Sequence, residues 1–297
     1  MSVDRILPTD EAYELLDLVT ELADRELAPR AADFEQRGVF PREVLRTLGR
    51  AGLLGLPYPE EYGGAAQPYE VYLQVLEILA SRWLAVAEAV SVHTLSCYPV
   101  ASYGGEQVRK LLPDMIGGEL LGAYCLSEPQ GGSDAAALTT RATRDGDDYL
   151  VTGTKAWITH AGSADFYNVF CRTGGPGARG ISCLLADAGT AGIAPQTPER
   201  TMGLRASPIA QIAFDDARVP AGRLVGAEGR ASGSRCRRWT AAGSASPPAR
   251  SGWPRRRWTT RSTTPGNGSS SASRLSTSRG WASCWPTRRP RCRRPGR

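Results

Sequence analysis

Apolar positions recur at helical spacing through the first third of the chain and switch to alternation after residue 118. In residues 9–28, Leu15, Leu16, Val19, Leu22 and Ala23 fall three or four apart, behind Thr9, Asp10 and Glu11, which read as a cap and an acidic first turn. Pro41-Arg42-Glu43-Val44-Leu45 starts a second helix, with proline suited to a first turn, and Gly52 and Gly55 end it before Pro57-Tyr58-Pro59. A long apolar helical pattern runs from residue 68 to about residue 102, with a break expected near Pro99, and a shorter one covers 106–115. Beyond Gly117-Gly118 the period becomes two, predicting strands over 121–126, 138–143, 149–154, 167–172, 181–185 and 209–214, with a β domain ending near Val219-Pro220. The pattern gives an α+β chain: an all-helical domain over 1–118, then a β domain over 119–230.

From residue 231 the patterning stops. Residues 231–297 hold five of the seven tryptophans but no Ile, Val, Met, Phe or Tyr and a single leucine, Leu275, too little to build a core face. Charge divides at the same point. Residues 1–230 carry 30 acidic against 20 basic residues, a net −10, while the tail carries 16 arginines and no acid, so the chain's +6 belongs to the tail alone. Such a segment reads in one way as a nucleic-acid-binding arm, guanidinium groups meeting phosphates and tryptophans stacking on bases. Cys97, Cys125, Cys171 and Cys183 show no ligand-like spacing, so they read as reduced, packed thiols with no metal site. With no basic flank before an apolar stretch at Met1–Arg5, and no run approaching the roughly 20 apolar residues of a membrane span, the expectation is a cytoplasmic protein.

The candidate chemistry lies in two short segments. In Cys125-Leu126-Ser127-Glu128-Pro129-Gln130-Gly131-Gly132-Ser133-Asp134, the two glycines let a ligand approach the backbone, and Ser133 and Asp134 sit beside amides left free by the turn. A phosphate-bearing ligand suits this turn; a Gly-rich turn capped by Ser and Asp is the plainer alternative. Thr152-Gly153-Thr154-Lys155-Ala156-Trp157-Ile158-Thr159-His160-Ala161 follows 20 to 35 residues later as a β-rich run. Taken alone, Trp157 reads as a core aromatic and Thr159 as a strand residue. His93 and His160 have no nucleophile or carboxylate at a telling spacing and read as core or surface histidines, and Asp134 as a turn cap.

Together the two segments resemble the acyl-CoA dehydrogenase family, and so does Gly52-Leu53-Leu54-Gly55-Leu56-Pro57-Tyr58-Pro59-Glu60-Glu61-Tyr62-Gly63-Gly64. The resemblance implies that the β domain is barrel-like and that the cofactor is FAD. It implies flavin contacts from Tyr124, Cys125, Leu126, Ser127, Gly131, Gly132 and Ser133, with Ser133 also touching the substrate, and from Trp157, Ile158 and Thr159, where Trp157 packs on the ring and Thr159 bonds near its N5. Thr201-Met202-Gly203-Leu204-Arg205-Ala206-Ser207 resembles the family's loop before its closing hairpin, Arg205 serving there as structure or as ligand contact. The implied reaction is α,β-dehydrogenation of an acyl-CoA thioester, with an electron-transfer flavoprotein as acceptor and a homotetramer or homodimer as the intact assembly. An acyl-CoA oxidase, or a related flavin oxidoreductase of the same fold, is the alternative that these motifs leave open.

The family's β domain is followed by a four-helix C-terminal domain, whereas here it is followed by the unpatterned tail. Regrouping the tail codons, each last base joined to the next two, forces Asp at Trp239-Thr240 and Trp258-Thr259, Ala at Trp253-Pro254 and Trp285-Pro286, Gly at Trp281-Ala282 and Leu at Cys284-Trp285. With permitted bases elsewhere, residues 230–287 regroup into an amphipathic helical sequence resembling the missing helices. Residues 231–297 are therefore expected to be out of frame, through one base lost or two gained just before Ala231. The resemblance implies a catalytic Glu far beyond position 297 in most of the family, and on the first C-terminal helix in a minority, so no residue here is assigned the role. The chain as translated is expected to bind FAD weakly or not at all and not to turn over.

Overall fold

The computed structural model describes residues 7–231, so the expected frame change, the regrouped helices and the basic arm lie outside the described residues. Seven α-helices come first: α1 Asp10–Glu26, α2 Ala28–Arg37, α3 Arg42–Arg50, α4 Tyr69–Arg82, α5 Leu84–Tyr103, α6 Glu106–Arg109 and α7 Leu112–Ile116. Thr9 caps α1 through its hydroxyl, which accepts the Ala12 N–H at 3.3 Å, and Leu16, Val19 and Ala23 bury its inner face. α2 was not expected from the sequence; its core-facing positions are only partly buried, so its apolar signal is weak.

The long apolar stretch breaks earlier than expected. Pro99 stays inside α5, and the interruption falls at Trp83, whose backbone is extended at φ −157 and ψ 99. The indole is held from two sides there. Its N–H donates to Glu35 Oε1 at 2.9 Å, and Phe34 meets it edge-on at 5.5 Å. Pro99 costs α5 one backbone hydrogen bond. It is tolerated because Cys97 and Val100 beside it are fully buried and fix the helix by packing. α5 also corrects the expectation that no segment reaches a membrane-spanning length: its 20 residues are long and apolar enough, but most of them are buried inside the protein.

The strands are β1 Gly122–Cys125, β2 Arg141–Asp145, β3 Asp148–Thr159, β4 Phe166–Arg172, β5 Ile181–Asp187, β6 Ile193–Pro195, β7 Ile209–Pro220 and β8 Leu224–Val225. They form one eight-stranded sheet in the order β6-β7-β3-β2-β4-β5-β8, with β1 joined to β4 in parallel. β6 and β8, of three and two residues, are too short to show alternation, and β8 carries the sheet five residues beyond the expected end at Pro220. Helices and sheet share a core. Cys97, Val100, Leu112 and Met115 pack with Phe166, Phe170, Cys183 and Leu185 in one apolar cluster. All the described residues fall in a single compact unit.

The two histidines form the seam between the halves. A Cβ on Gly122 would lie 2.3 Å from the Phe166 ring and 2.7 Å from Ser96, so only glycine lets β1 approach α5 this closely. His93 Nδ1 accepts the Gly122 N–H at 3.0 Å, its Nε2–H donates to the Met115 carbonyl at 2.7 Å, and His160 Nδ1–H donates to the Gly122 carbonyl at 2.9 Å. Both polar groups of one glycine are therefore bound by neutral imidazoles. Burial pushes both histidines down from 6.5 to about 4. Between those values the unfolded chain takes up protons that the folded chain refuses, so stability is complete above about pH 6.5 and falls as pH drops toward 4. Each histidine contributes at most about 1.4 kcal/mol per pH unit in that window. Urea midpoints should fall steadily from pH 6.5 to pH 4.5, and a histidine-to-glutamine change at 93 should flatten that slope while lowering the midpoint at pH 7.

Candidate ligand site at the end of the first strand

The chain leaves β1 at Cys125 and turns back at once. Glu128 and Gly131 exchange two backbone hydrogen bonds, at 2.8 and 3.0 Å, which close the turn over Pro129 and Gln130. Beneath it the Glu128 carboxylate is 2% exposed and makes an ion pair with the fully buried Lys155 on β3, at 2.9 Å. It also accepts the Thr139 N–H at 2.7 Å, the Thr139 hydroxyl at 2.9 Å, the Thr140 N–H at 2.9 Å and the Gln130 amide at 2.6 Å. Lys155 Nζ donates further to the Leu126 carbonyl at 3.1 Å. Burial alone would raise the Glu128 carboxyl, but the Lys155 ammonium and the donated hydrogen bonds outweigh it and hold it at about 2. Burial pulls the Lys155 amine below its ordinary range, and the Glu128 carboxylate beside it works against that fall.

That pair seats the two segments side by side. Ala156 N–H donates to the Ser127 carbonyl at 2.9 Å, and a Cβ on Gly132 would sit 3.2 Å from Ser127 Oγ, so Ser127 lies between the glycine turn and the strand carrying Trp157. Gly131, Gly132 and Ser133 are exposed, and Leu126 and Ser127 are half-buried. The amides of Ser127, Gly132 and Ser133 and the Ser127 hydroxyl have no partner among the described residues. Asp134 caps the short turn after them, accepting the Ala136 N–H at 3.2 Å. The result is a row of free donors along one edge.

Trp157 stands beside that row. The β3–β7 register slips between Lys155 and Ile158, and at this bulge Trp157 adopts φ 59, a left-handed conformation that costs a bulky residue about 1–3 kcal/mol. The distortion leaves a tryptophan 63% exposed while Ile158 is buried in the sheet core. Thr159, half-buried, donates its hydroxyl to Glu88 Oε1 on α5 at 3.1 Å, and Ser207 donates its own to Glu88 Oε2. A second carboxylate of the helical half, Glu35, holds the same loop by accepting the amides of Arg205 at 2.7 Å and Ala206 at 3.4 Å.

Of the residues expected at the site, Ser127 is the link: Gly132 lies against its side chain, and its carbonyl is bonded to Ala156, next to the exposed Trp157, while Thr159 reaches Glu88 on α5. Tyr124 is half-buried, its ring 4.8 Å from that of Phe170. Cys125 is fully buried, and burial pushes its thiol well above the usual range, so it offers a ligand only its backbone. Ile158 is likewise a core side chain. Arg205 contributes its N–H to Glu35 and keeps an exposed side chain, and His93 and His160 belong to the seam. Sequence reasoning missed Glu128, Lys155 and Glu88. The signal available for Lys155 was a charged residue within an otherwise apolar or small-residue strand, and Glu88, on an apolar helix, offered the same hint; Glu128 lies in the turn motif itself, between Ser127 and Pro129.

A helical domain packs on a sheet, and an exposed, left-handed tryptophan follows directly on the strand residue bonded to the turn with free donors. The sequence comparisons identify its lineage. The acyl-CoA dehydrogenase N-terminal domain matches residues 9–119, and the acyl-CoA dehydrogenase middle domain matches residues 123–217. The chain belongs to the acyl-CoA dehydrogenase family. It is 35% identical over 223 residues to mitochondrial isobutyryl-CoA dehydrogenase of Bos taurus, a match covering 75% of this chain and 54% of that protein. Butyryl-CoA dehydrogenase of Megasphaera elsdenii superposes with a TM-score of 0.76 at 30% identity, over 81% of this chain and 64% of that one. A glutaryl-CoA dehydrogenase of Mycobacterium smegmatis, solved in complex with FADH2, superposes with a TM-score of 0.72 at 28% identity, over 79% and 60%. The chain thus spans 54% of the length of its bovine relative.

Two substitutions separate the roles at this site. Glu128→Ala strands the buried Lys155 ammonium and two backbone amides and should destabilise the protein by about 3–5 kcal/mol in urea unfolding. Trp157→Gly removes an exposed ring and relieves the left-handed backbone, so it should cost less than about 1 kcal/mol, unlike the several kcal/mol expected of a core tryptophan.

Proposed function

We propose that the chain is a member of the FAD-dependent acyl-CoA dehydrogenases, whose reaction removes the α and β hydrogens of an acyl-CoA thioester, and that this chain is itself inactive. The observation that carries this reading is that the free donors of Ser127, Gly132 and Ser133 belong to a turn hydrogen-bonded to Ala156, the residue just before exposed Trp157. An isoalloxazine ring has the shape and the carbonyl and ring-nitrogen acceptors for that site. When bound, the flavin supplies the two-electron acceptor that side chains lack.

The chain's own residues bind and orient. The amides of Ser127 and Gly132 and the Ser127 hydroxyl hold the ring edge, and Ser133 serves both flavin and thioester. Trp157 covers a ring face and keeps water from it, while Thr159 addresses the N5 edge through its hydroxyl. Tyr124, Cys125, Leu126 and Ile158 contribute as the strand ends that carry these groups, and Gly131 lets the turn close. Electrons pass on to an electron-transfer flavoprotein, and the working assembly is a homodimer or homotetramer in the cytoplasm. No residue of the chain is assigned as the base that takes the α proton, so the 297 residues alone do not turn over; they hold FAD weakly or not at all.

The purified chain should show flavin fluorescence quenching only at high FAD, with no bleaching when acyl-CoA is added anaerobically. Stoichiometric yellow protein that bleaches with acyl-CoA would contradict the proposed inactivity. Trp157→Ala should weaken whatever flavin affinity is measured by about three- to tenfold, the loss of one stacked aromatic contact.

A further inference from the structure

Glu88 is the one carboxylate of α5, and the expected chemistry gives it no role. Its two oxygens each accept a hydroxyl proton, from Thr159 at 3.1 Å and from the buried Ser207. A hydroxyl has one proton to give and two lone pairs, and an ionised carboxylate has none to give. With its proton committed to Glu88, Thr159 can meet a further group only as an acceptor. Thr159 is half-buried and follows Ile158, whose side chain lies in the sheet core, two residues after the exposed Trp157.

We propose that Glu88 is a positioning residue that fixes the hydrogen-bond polarity of Thr159 and thereby biases the site toward the reduced form of its flavin. This inference rests on the flavin reading given above. The N5 position of an oxidised isoalloxazine ring is an acceptor, which an acceptor-only hydroxyl cannot satisfy. The same position of the reduced ring carries an N–H, which it can. A partner lost to one redox form and gained by the other changes their relative affinity by the worth of about one hydrogen bond, or about three- to tenfold. The arrangement is held from outside the ligand site. Ser207 belongs to the loop whose Arg205 and Ala206 amides are bound by Glu35, so the carboxylate of Glu88 is fixed by two hydroxyls on two different elements.

Glu88→Gln is the informative change. The glutamine carbonyl keeps the Ser207 hydroxyl, while its amide offers Thr159 a donor and frees the Thr159 proton for the ligand. Binding of oxidised FAD and of dithionite-reduced FAD is measured anaerobically on the full 297-residue chain, at up to millimolar flavin, for wild type, Glu88→Gln, Thr159→Val and Thr159→Ser. The proposal expects wild type to favour reduced over oxidised FAD, Glu88→Gln to lower that ratio by about three- to tenfold, Thr159→Val to lose the preference and Thr159→Ser to keep it. Both forms binding with the same ratio in wild type and Glu88→Gln would overturn the role of Glu88 and leave the flavin reading standing. If Glu88→Gln fails to fold, the contrast between Thr159→Val and Thr159→Ser decides, an equal ratio in both overturning the proposal. Failure of wild type to bind either form at millimolar flavin would overturn this inference.

Discussion

The ion pair between Glu128 and Lys155 is the constraint on which the ligand site depends. Two charges leave water completely, which is unfavourable unless every remaining lone pair and proton finds a partner. Here the carboxylate collects two backbone amides, a hydroxyl and a side-chain amide besides the ammonium, and the ammonium takes the Leu126 carbonyl. The consequence is geometric. The turn after β1, the approach to β2 and the middle of β3 are tied to one point, so Ser127 and Trp157 cannot drift apart without uncovering a buried charge.

That rigidity supports the strain beside it. Trp157 occupies a left-handed backbone conformation and exposes a large apolar ring, two features a folding chain would not adopt for stability. The neighbouring residues on either side are fixed, Lys155 by the ion pair and Ile158 by the core, so the bulge between them has no relaxed alternative. The helical half contributes in the same way from the opposite side. Glu35 and Glu88 reach across to the loop over 205–207, and His93 and His160 clamp Gly122 where β1 begins. One short strand is therefore held at its start by histidines and just past its end by a carboxylate.

Much of this was legible in the sequence. Period and caps gave α1, α3 and the main strands, and the two motif segments were recognisable as partners before any geometry was known. What was not legible had local causes. Trp83 breaks a continuous apolar pattern because Glu35 and Phe34, almost fifty residues away, capture its indole, and Pro99 survives within a helix because buried neighbours hold it. α2 lacks a fully buried stripe, and β6 and β8 are too short to show alternation. At the site, Cys125 and Ile158 lie within the motif but face the core, because a strand alternates whatever its motif contains. Glu128 and Lys155 passed unnoticed because each is an isolated charge in sequence, and only the fold makes them a pair.

The central claim, that Ser127, Gly132 and Trp157 form one side of a flavin site, is tested most directly by a crystal structure of this chain grown with FAD. The account predicts the isoalloxazine ring packed on Trp157, its edge accepting hydrogen bonds from the Ser127 and Gly132 amides, with the Glu128–Lys155 pair unchanged beneath. A flavin ordered elsewhere on the protein, with Trp157 and those amides facing only water, would contradict it.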